Sequence, residues 1–257
     1  MKTDWSSQEM VEGIGSTNPR PHYFYLRFAL EPHNTVLEVG SGPCQLYRYL
    51  VSKGVRAKYS ACDLTTEMLS KARERVPGID LFECDVQDMS RVPDNSYDWV
   101  VCSDVLIHVP RPFEGLEHLW RCTGGALLLV IRESTFPEDV VDNQRAYQLL
   151  DGVRYYYNVL NLDRTAARLR ELMPHPQAIE VHRQAITEGH DVTHRHFPFD
   201  PAKHTLWATS YVLSKDRSRA KWLPEGDINS WRPPLPERLV IKGRRLLGLP
   251  AYSNKGP

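Results

Sequence analysis

Val36-Leu37-Glu38-Val39-Gly40-Ser41-Gly42 is the stretch on which the reading of this chain turns. An apolar run carrying one carboxylate gives way at once to Gly40-Ser41-Gly42-Pro43. That is the pattern of a buried parallel strand ending in a glycine turn, with a helix expected from about Gln45 to Lys53. Glycines there let the backbone take positive φ and let a ligand approach the main chain, which a side chain would obstruct. A nucleotide-like ligand is therefore the first expectation. The dinucleotide fingerprint needs a third glycine where Gln45 stands, and a phosphate-binding Gly-Lys-Ser/Thr is missing from the turn. A nicotinamide-dependent oxidoreductase fails on that residue. Glu38 would repel a pyrophosphate but accepts hydrogen bonds from a ligand's amine.

The same grammar repeats downstream. A second strand, about Ala57 to Cys62, ends in Asp63-Leu64, and Thr65 to Ala72 reads as a capped helix. An acid roughly twenty positions after the glycines is placed to accept from two ribose hydroxyls. A third strand, about Ile79 to Glu83, ends in Cys84-Asp85-Val86. A fourth, Tyr97 to Cys102, ends in Ser103-Asp104-Val105-Leu106-Ile107-His108-Val109-Pro110. A helix from about Phe113 to Arg121 and a Gly124-Gly125 turn precede a fifth, Ala126 to Ile131. In a parallel sheet these carboxyl ends line one edge, where open α/β folds bind ligands.

With Glu38, Gly40 and Gly42 in place, the chain resembles the class I S-adenosylmethionine-dependent methyltransferases, whose first motif is Glu/Asp-x-Gly-x-Gly-x-Gly. Cys44 replaces the last glycine, and Pro43 stiffens the loop. The resemblance covers residues 35–135 well and 155–214 loosely. It implies an α/β, three-layer Rossmann-like fold with a mostly parallel seven-stranded sheet and an antiparallel last strand. It also implies S-adenosyl-L-methionine as cofactor. Glu38, Gly40, Ser41 and Gly42 then line its seat, with Asp63 and Leu64 at the ribose. Asp85 and the amide of Val86 would meet the adenine, and Ser103 opens the motif facing the methyl group.

The activity implied is methyl transfer to an oxygen or nitrogen of a small molecule by direct in-line displacement. A sugar or lipid-linked acceptor at a membrane surface, or a non-catalytic binding module, are the alternatives. If the acceptor is a hydroxyl, His108 and Asp104 are the candidate catalytic residues, because a base must remove its proton. Relatives that methylate quinone precursors carry Glu-x-x-Glu-His at this motif and bind a metal. Here Ile107 takes the place of one carboxylate, and no metal is expected.

The 257 residues make one domain of ordinary size, and 41% hydrophobic with 25% charged residues is a soluble composition. No apolar run is long enough to span a bilayer, and Met1-Lys2-Thr3-Asp4 carries no secretory segment, so a cytoplasmic protein is expected. A formal net charge of zero argues against nucleic acid as a partner. Five cysteines without a Cys-x-x-Cys pair suggest neither a disulfide framework nor a zinc ribbon. Cys44, Cys62, Cys84 and Cys102 nevertheless fall at the presumed cofactor edge and read as small buried hydrophobes.

The single domain should run from 1 to 214, with 1–34 a helical cap, 35–135 the cofactor core, 136–176 a substrate cap and 177–214 the last two strands. Pro19-Arg20-Pro21 breaks the first helix of the cap, and His22 to Phe28 begins the second. Tyr23 and Arg27, four apart on one helical face, are candidate ligand contacts on the substrate side. In the substrate cap, helices are expected over Asp139–Tyr147 and Asp163–Met173. Between them Tyr155, Tyr156 and Tyr157 offer rigid faces and hydroxyls to a planar or cationic substrate. Strands Ala178–Thr187 and Leu206–Ser214 should form an antiparallel pair. Their connection holds His190, His194, His196 and His204, and His194 and His196 share a face as candidate substrate contacts. The tail 215–257 has ten basic and four acidic residues, net +6. Glu237–Leu247 could form a basic amphipathic helix against a membrane, its own domain or a partner, in a monomer or homodimer.

Overall fold

The computed structural model describes residues 21–176, 178–186 and 195–215. The start of the expected N-terminal cap, His190, His194 and the basic tail from residue 216 lie outside them. Strand β1 (Thr35–Val39) buries every residue after Thr35. Parallel neighbours are β2 (Lys58–Asp63) and β4 (Tyr97–Ser103), which pair in turn with β3 (Asp80–Glu83) and β5 (Thr123–Ser134). The later strands are β6 (Tyr147–Leu150), β7 (Val153–Tyr156), β8 (Leu160–Asn161), β9 (Ala178–Ala185), β10 (Arg195–His196) and β11 (Leu206–Ser214). The main sheet is ordered β3-β2-β1-β4-β5-β11-β9, and the two-residue β8 pairs with the end of β5. β11 is antiparallel to both of its neighbours. The expected seven-stranded arrangement is thus present, with β8 as a short eighth strand.

Parallel strands need long crossovers, and helices supply them. Helices α1 (Pro21–Ala29), α2 (Gln45–Ser52) and α3 (Thr66–Arg75) face one side of the sheet, and α4 (Pro112–Cys122) and α5 (Leu162–Glu171) the other. Strand alternation divides the core accordingly. Leu127, Leu129 and Ile131 of β5 join Leu116, Leu119, Trp120 and Leu169 on one face. Ala126, Leu128 and Val130 join Leu26, Leu46 and Leu50 on the other. Register sets the edge that matters: Val39 is level with both Cys62 and Cys102, and Asp63 with Glu83. Gly40, Asp63, Asp85 and Asp104 therefore emerge along one rim.

Three expectations need correcting. Gly124 and Gly125 are no turn; α4 runs directly into β5, and a Cβ on Gly124 would lie 2.8 Å from the Asn95 carbonyl oxygen. Close backbone approach explains that glycine. The segment Asp139–Tyr147 is not helical. Asp142 captures the Gln144 amide at 2.8 Å and its carbonyl accepts from Arg145 and Ala146, a local turn that competes with a helix. Val140 meanwhile bridges to Val159, and Tyr147 opens a hairpin. That hairpin, β6 and β7, turns through Asp151 (φ 48°) and Gly152 (φ 76°), both left-handed as its tight two-residue loop requires. With β10 it forms a separate three-stranded antiparallel sheet. Last, Thr65 precedes α3 without capping it by its side chain; the hydroxyl donates to Asp63 instead.

Candidate active site

The glycine turn is held by its own backbone and by Asp63. The Gly40 and Ser41 amides donate to the Cys62 carbonyl at 2.8 and 3.0 Å, and the Gly42 amide donates to Asp63 Oδ2 at 2.9 Å. Left-handed backbone recurs at Gly40 (φ 69°), Gly42 (φ 51°) and Cys44 (φ 55°). A Cβ on Gly40 would stand 2.1 Å from Val105 Cγ2, so this glycine is required twice over, by its φ and by contact with the loop after β4. Cys44 accepts the left-handed conformation without being glycine, and its thiol is wholly buried. Burial pushes that thiol up to about 12, so it stays protonated and unreactive.

Carboxylates stand at successive strand ends around the turn. Glu38 is nearly buried and accepts a 2.8 Å hydrogen bond from Tyr59. Burial first, and then the Glu38 charge, hold the Tyr59 phenol well above its ordinary range. It therefore remains a donor. Asp63 accepts from Gly42, from the Thr65 amide at 3.0 Å and from the Thr65 hydroxyl at 2.9 Å. Asp85 accepts from the Gln87 amide at 2.9 Å and from its side chain. Leu64 and Ser103 are half-buried beside these ends, and Val86 is buried, packed near Gly115.

A second group lies where β4 and β5 end. Asp104 has φ 61°, a strained value for a residue that is not glycine. Its Oδ1 is 2.5 Å from Arg132 Nη1, and Arg132 Nε donates to the Tyr157 hydroxyl at 3.0 Å. The ion pair is largely buried, at 12% and 14% side-chain exposure. His108 Nδ1 is 2.7 Å from the Tyr156 carbonyl. A carbonyl only accepts, so Nδ1 carries a proton and donates this bond. Asn158 fixes the same junction, donating through its side chain to the Leu106 and Val109 carbonyls at 2.9 and 2.6 Å. The Tyr157 ring meets His108 at 6.1 Å and Phe197 at 5.6 Å, with the Arg195 guanidinium 5.0 Å above it.

The expected substrate contacts divide. Tyr156 and Tyr157 join His108 and Asp104 in one constellation, while Tyr155 is buried opposite Gln148 in the hairpin. Tyr23 packs on Tyr49 at 5.6 Å between α1 and α2, and Arg27 lies beside Tyr49 and over the Phe28 ring. Those two belong to helix packing. His196 stacks on Tyr147 at 4.4 Å in the small sheet. Arg132 and Arg195 carry no local signal in the sequence: one falls just past the expected fifth strand, the other in the connection between the last two strands.

The thiols behave mainly as apolar fillers. Burial pushes Cys102 up to about 12 and Cys122 to about 11. Cys84 is lowered by a hydrogen bond from the Cys62 thiol, which is raised in turn. Among the described residues no cluster of three or more His, Cys, Asp or Glu is placed to hold a metal. No described helix is long and apolar enough to cross a membrane.

A family model for a methyltransferase domain matches residues 37–129. The trans-aconitate 2-methyltransferase of an Enterobacter species is 24% identical over 243 residues, covering 93% of this chain and 85% of that enzyme. The ubiquinone biosynthesis O-methyltransferase of Xanthomonas campestris is 30% identical over 180 residues, covering 65% of this chain and 73% of the relative. Among solved structures, an S-adenosylmethionine-dependent methyltransferase from Methanosarcina mazei shares the fold, with a TM-score of 0.56 at 15% identity over 77% of this chain and 99% of that one. The similarity to the O-methyltransferase over 73% of its length, together with the methyltransferase-domain match and this sheet order, identifies the chain as a member of the class I S-adenosylmethionine-dependent methyltransferases, with S-adenosylmethionine as its cofactor.

Proposed function

We propose that the protein methylates an oxygen of a small molecule by direct in-line displacement. The observation that carries this reading is the group Asp104, Arg132, Tyr157 and His108, which stands one residue from the side chain packed on Gly40. The residues fit the cofactor. The turn is free of Cβ atoms at positions 40 and 42, and Glu38, Asp63 and Asp85 are acceptors for its amine, ribose and adenine donors. A carboxylate has about four lone-pair sites, and three on Asp63 are already used, so one ribose hydroxyl rather than two is its share unless Thr65 yields. Leu64, Val86 and Ser103 complete the seat.

Bound there, S-adenosylmethionine supplies an electrophilic methyl group, so the chain need form no covalent intermediate. Its task is to hold the acceptor in line, exclude water and take up a proton. Orientation alone can contribute about 7–11 kcal/mol. Asp104, engaged by Arg132, serves as a positioning residue that fixes the guanidinium and through it Tyr157. His108 accepts the hydroxyl proton at Nε2, its ring oriented by the Nδ1–H bond to Tyr156. Oxygen is favoured over nitrogen by the relative named an O-methyltransferase. A screen of hydroxyl and amine acceptors with labelled methyl donor tests this. His108→Asn should lower kcat on a hydroxyl acceptor by about 10²-fold or more with S-adenosylhomocysteine affinity unchanged. Full activity in that variant would remove His108 as the base, and turnover of amines alone would overturn O-methylation.

A further inference from the structure

Arg195 is the cation that the reaction as described does not use. It opens β10, opposite Gln148 of β6, and its guanidinium lies 5.0 Å over the ring of Tyr157. Its Nε is buried and meets no hydrogen-bond partner, and among the described residues no carboxylate pairs with it. Arg132 differs: its charge is answered by Asp104, and its Nε by the Tyr157 hydroxyl. Tyr157 thus joins two guanidiniums to one carboxylate, leaving one positive charge unanswered among the described residues. An unpaired donor of a charged group in a buried position costs more than a neutral one, and an anion brought by a ligand removes that cost.

What lies next to Arg195 says what the anion is attached to. Phe197 packs on Tyr157, stacks on Phe199 at 5.4 Å, and Phe199 stacks on Phe136 at 4.9 Å. These half-buried phenyl rings stack on one another, an apolar cluster that begins two residues from the cation. One unanswered positive charge matches a carboxylate better than a doubly charged phosphate, and a guanidinium takes a planar carboxylate through two parallel N–H donors. We infer that the methyl acceptor carries a carboxylate that pairs with Arg195, on a planar apolar body seated against Phe197 and Phe199. The inference rests on the methyltransferase reading above and adds the substrate class.

The test uses the full chain saturated with S-adenosylhomocysteine, with trans-aconitate, cinnamate and salicylate as probes. Cinnamamide, salicylamide and phenyl phosphate are the controls. Calorimetry reads binding, and labelled methyl donor reads transfer. At least one acid should bind about tenfold or more tighter than its amide, and Arg195→Gln should bring that ratio close to one, while Arg195→Lys restores part of it. S-adenosylhomocysteine affinity should be the same in all three proteins. Equal binding of acids and amides, a ratio unmoved by Arg195→Gln, phenyl phosphate binding as tightly as the acids, or no probe bound at all would each overturn the inference. In all those outcomes a protein that still binds S-adenosylhomocysteine leaves the methyltransferase reading standing; failure to bind it sinks that reading instead.

Discussion

The two halves of the rim are built by different means. At the ends of β1, β2 and β3 the turn is main chain: left-handed residues at 40, 42 and 44, amides donated to Cys62 and Asp63, and a carboxylate within two residues of each strand's end. At the ends of β4 and β5 the rim is side chain on side chain. Asp104 meets Arg132 across 28 positions of sequence, and Arg132 meets Tyr157 across 25. On the proposed reading the first half grips the cofactor through backbone, and the second meets the acceptor with side chains. Conformational demand dominates the first half, and charge pairing the second.

That division gives each half its own vulnerability. The largest effect should come from Arg132→Met, which removes the cation paired with the Asp104 carboxylate in a mostly buried position. Stability should fall by about 3 kcal/mol or somewhat more, read by urea denaturation. Asp104→Asn combined with it should cost less than the sum of the two single changes. If the losses simply add, the pair is not a unit and the side-chain description of this half is wrong.

Gly40→Ala comes next. A left-handed alanine costs about 1–2 kcal/mol, and its Cβ would drive Val105 out of place. Cofactor affinity should drop together with stability, and Val105→Ala should recover the steric part but not the conformational part. Complete recovery would mean that φ at Gly40 is unimportant. The smallest effect is expected from Cys44→Gly, which relaxes the left-handed backbone but removes a buried thiol. The opposing terms should leave stability within about 1 kcal/mol, and cofactor affinity unchanged. A large loss in either would show that the thiol itself is needed.

How much could be read from the residues follows the same division. The glycine turn, the five parallel strands and the acids at their ends are local patterns, and the structure places all of them within a residue or three of expectation. Arg132 and Arg195 are different in kind. Nothing near either one in sequence announces a partner, since what defines them is Tyr157 arriving from another segment. The substrate cap was misread for a local reason. Asp139–Tyr147 has helical composition, but Asp142 binds the amide two residues on and stops the helix before it starts. A legible cue was passed over there: Asp151-Gly152 between two β-prone runs is a hairpin turn, and it would have placed Tyr155 and Tyr156 on a strand. Gly124-Gly125 shows the converse, a pair of glycines demanded by the Asn95 backbone rather than by a turn.

The most direct test of the account is calorimetric titration of S-adenosylhomocysteine into the wild-type protein and into Asp63→Ala, with NADH as control. The account predicts micromolar binding of S-adenosylhomocysteine to the wild type and none of NADH. It also predicts at least about tenfold weaker binding to the variant, because Asp63 holds Gly42 and, on the proposed reading, accepts from the ribose. Equal affinity in the two proteins would contradict it, leaving Asp63 a residue of the turn and the cofactor seat elsewhere on the rim.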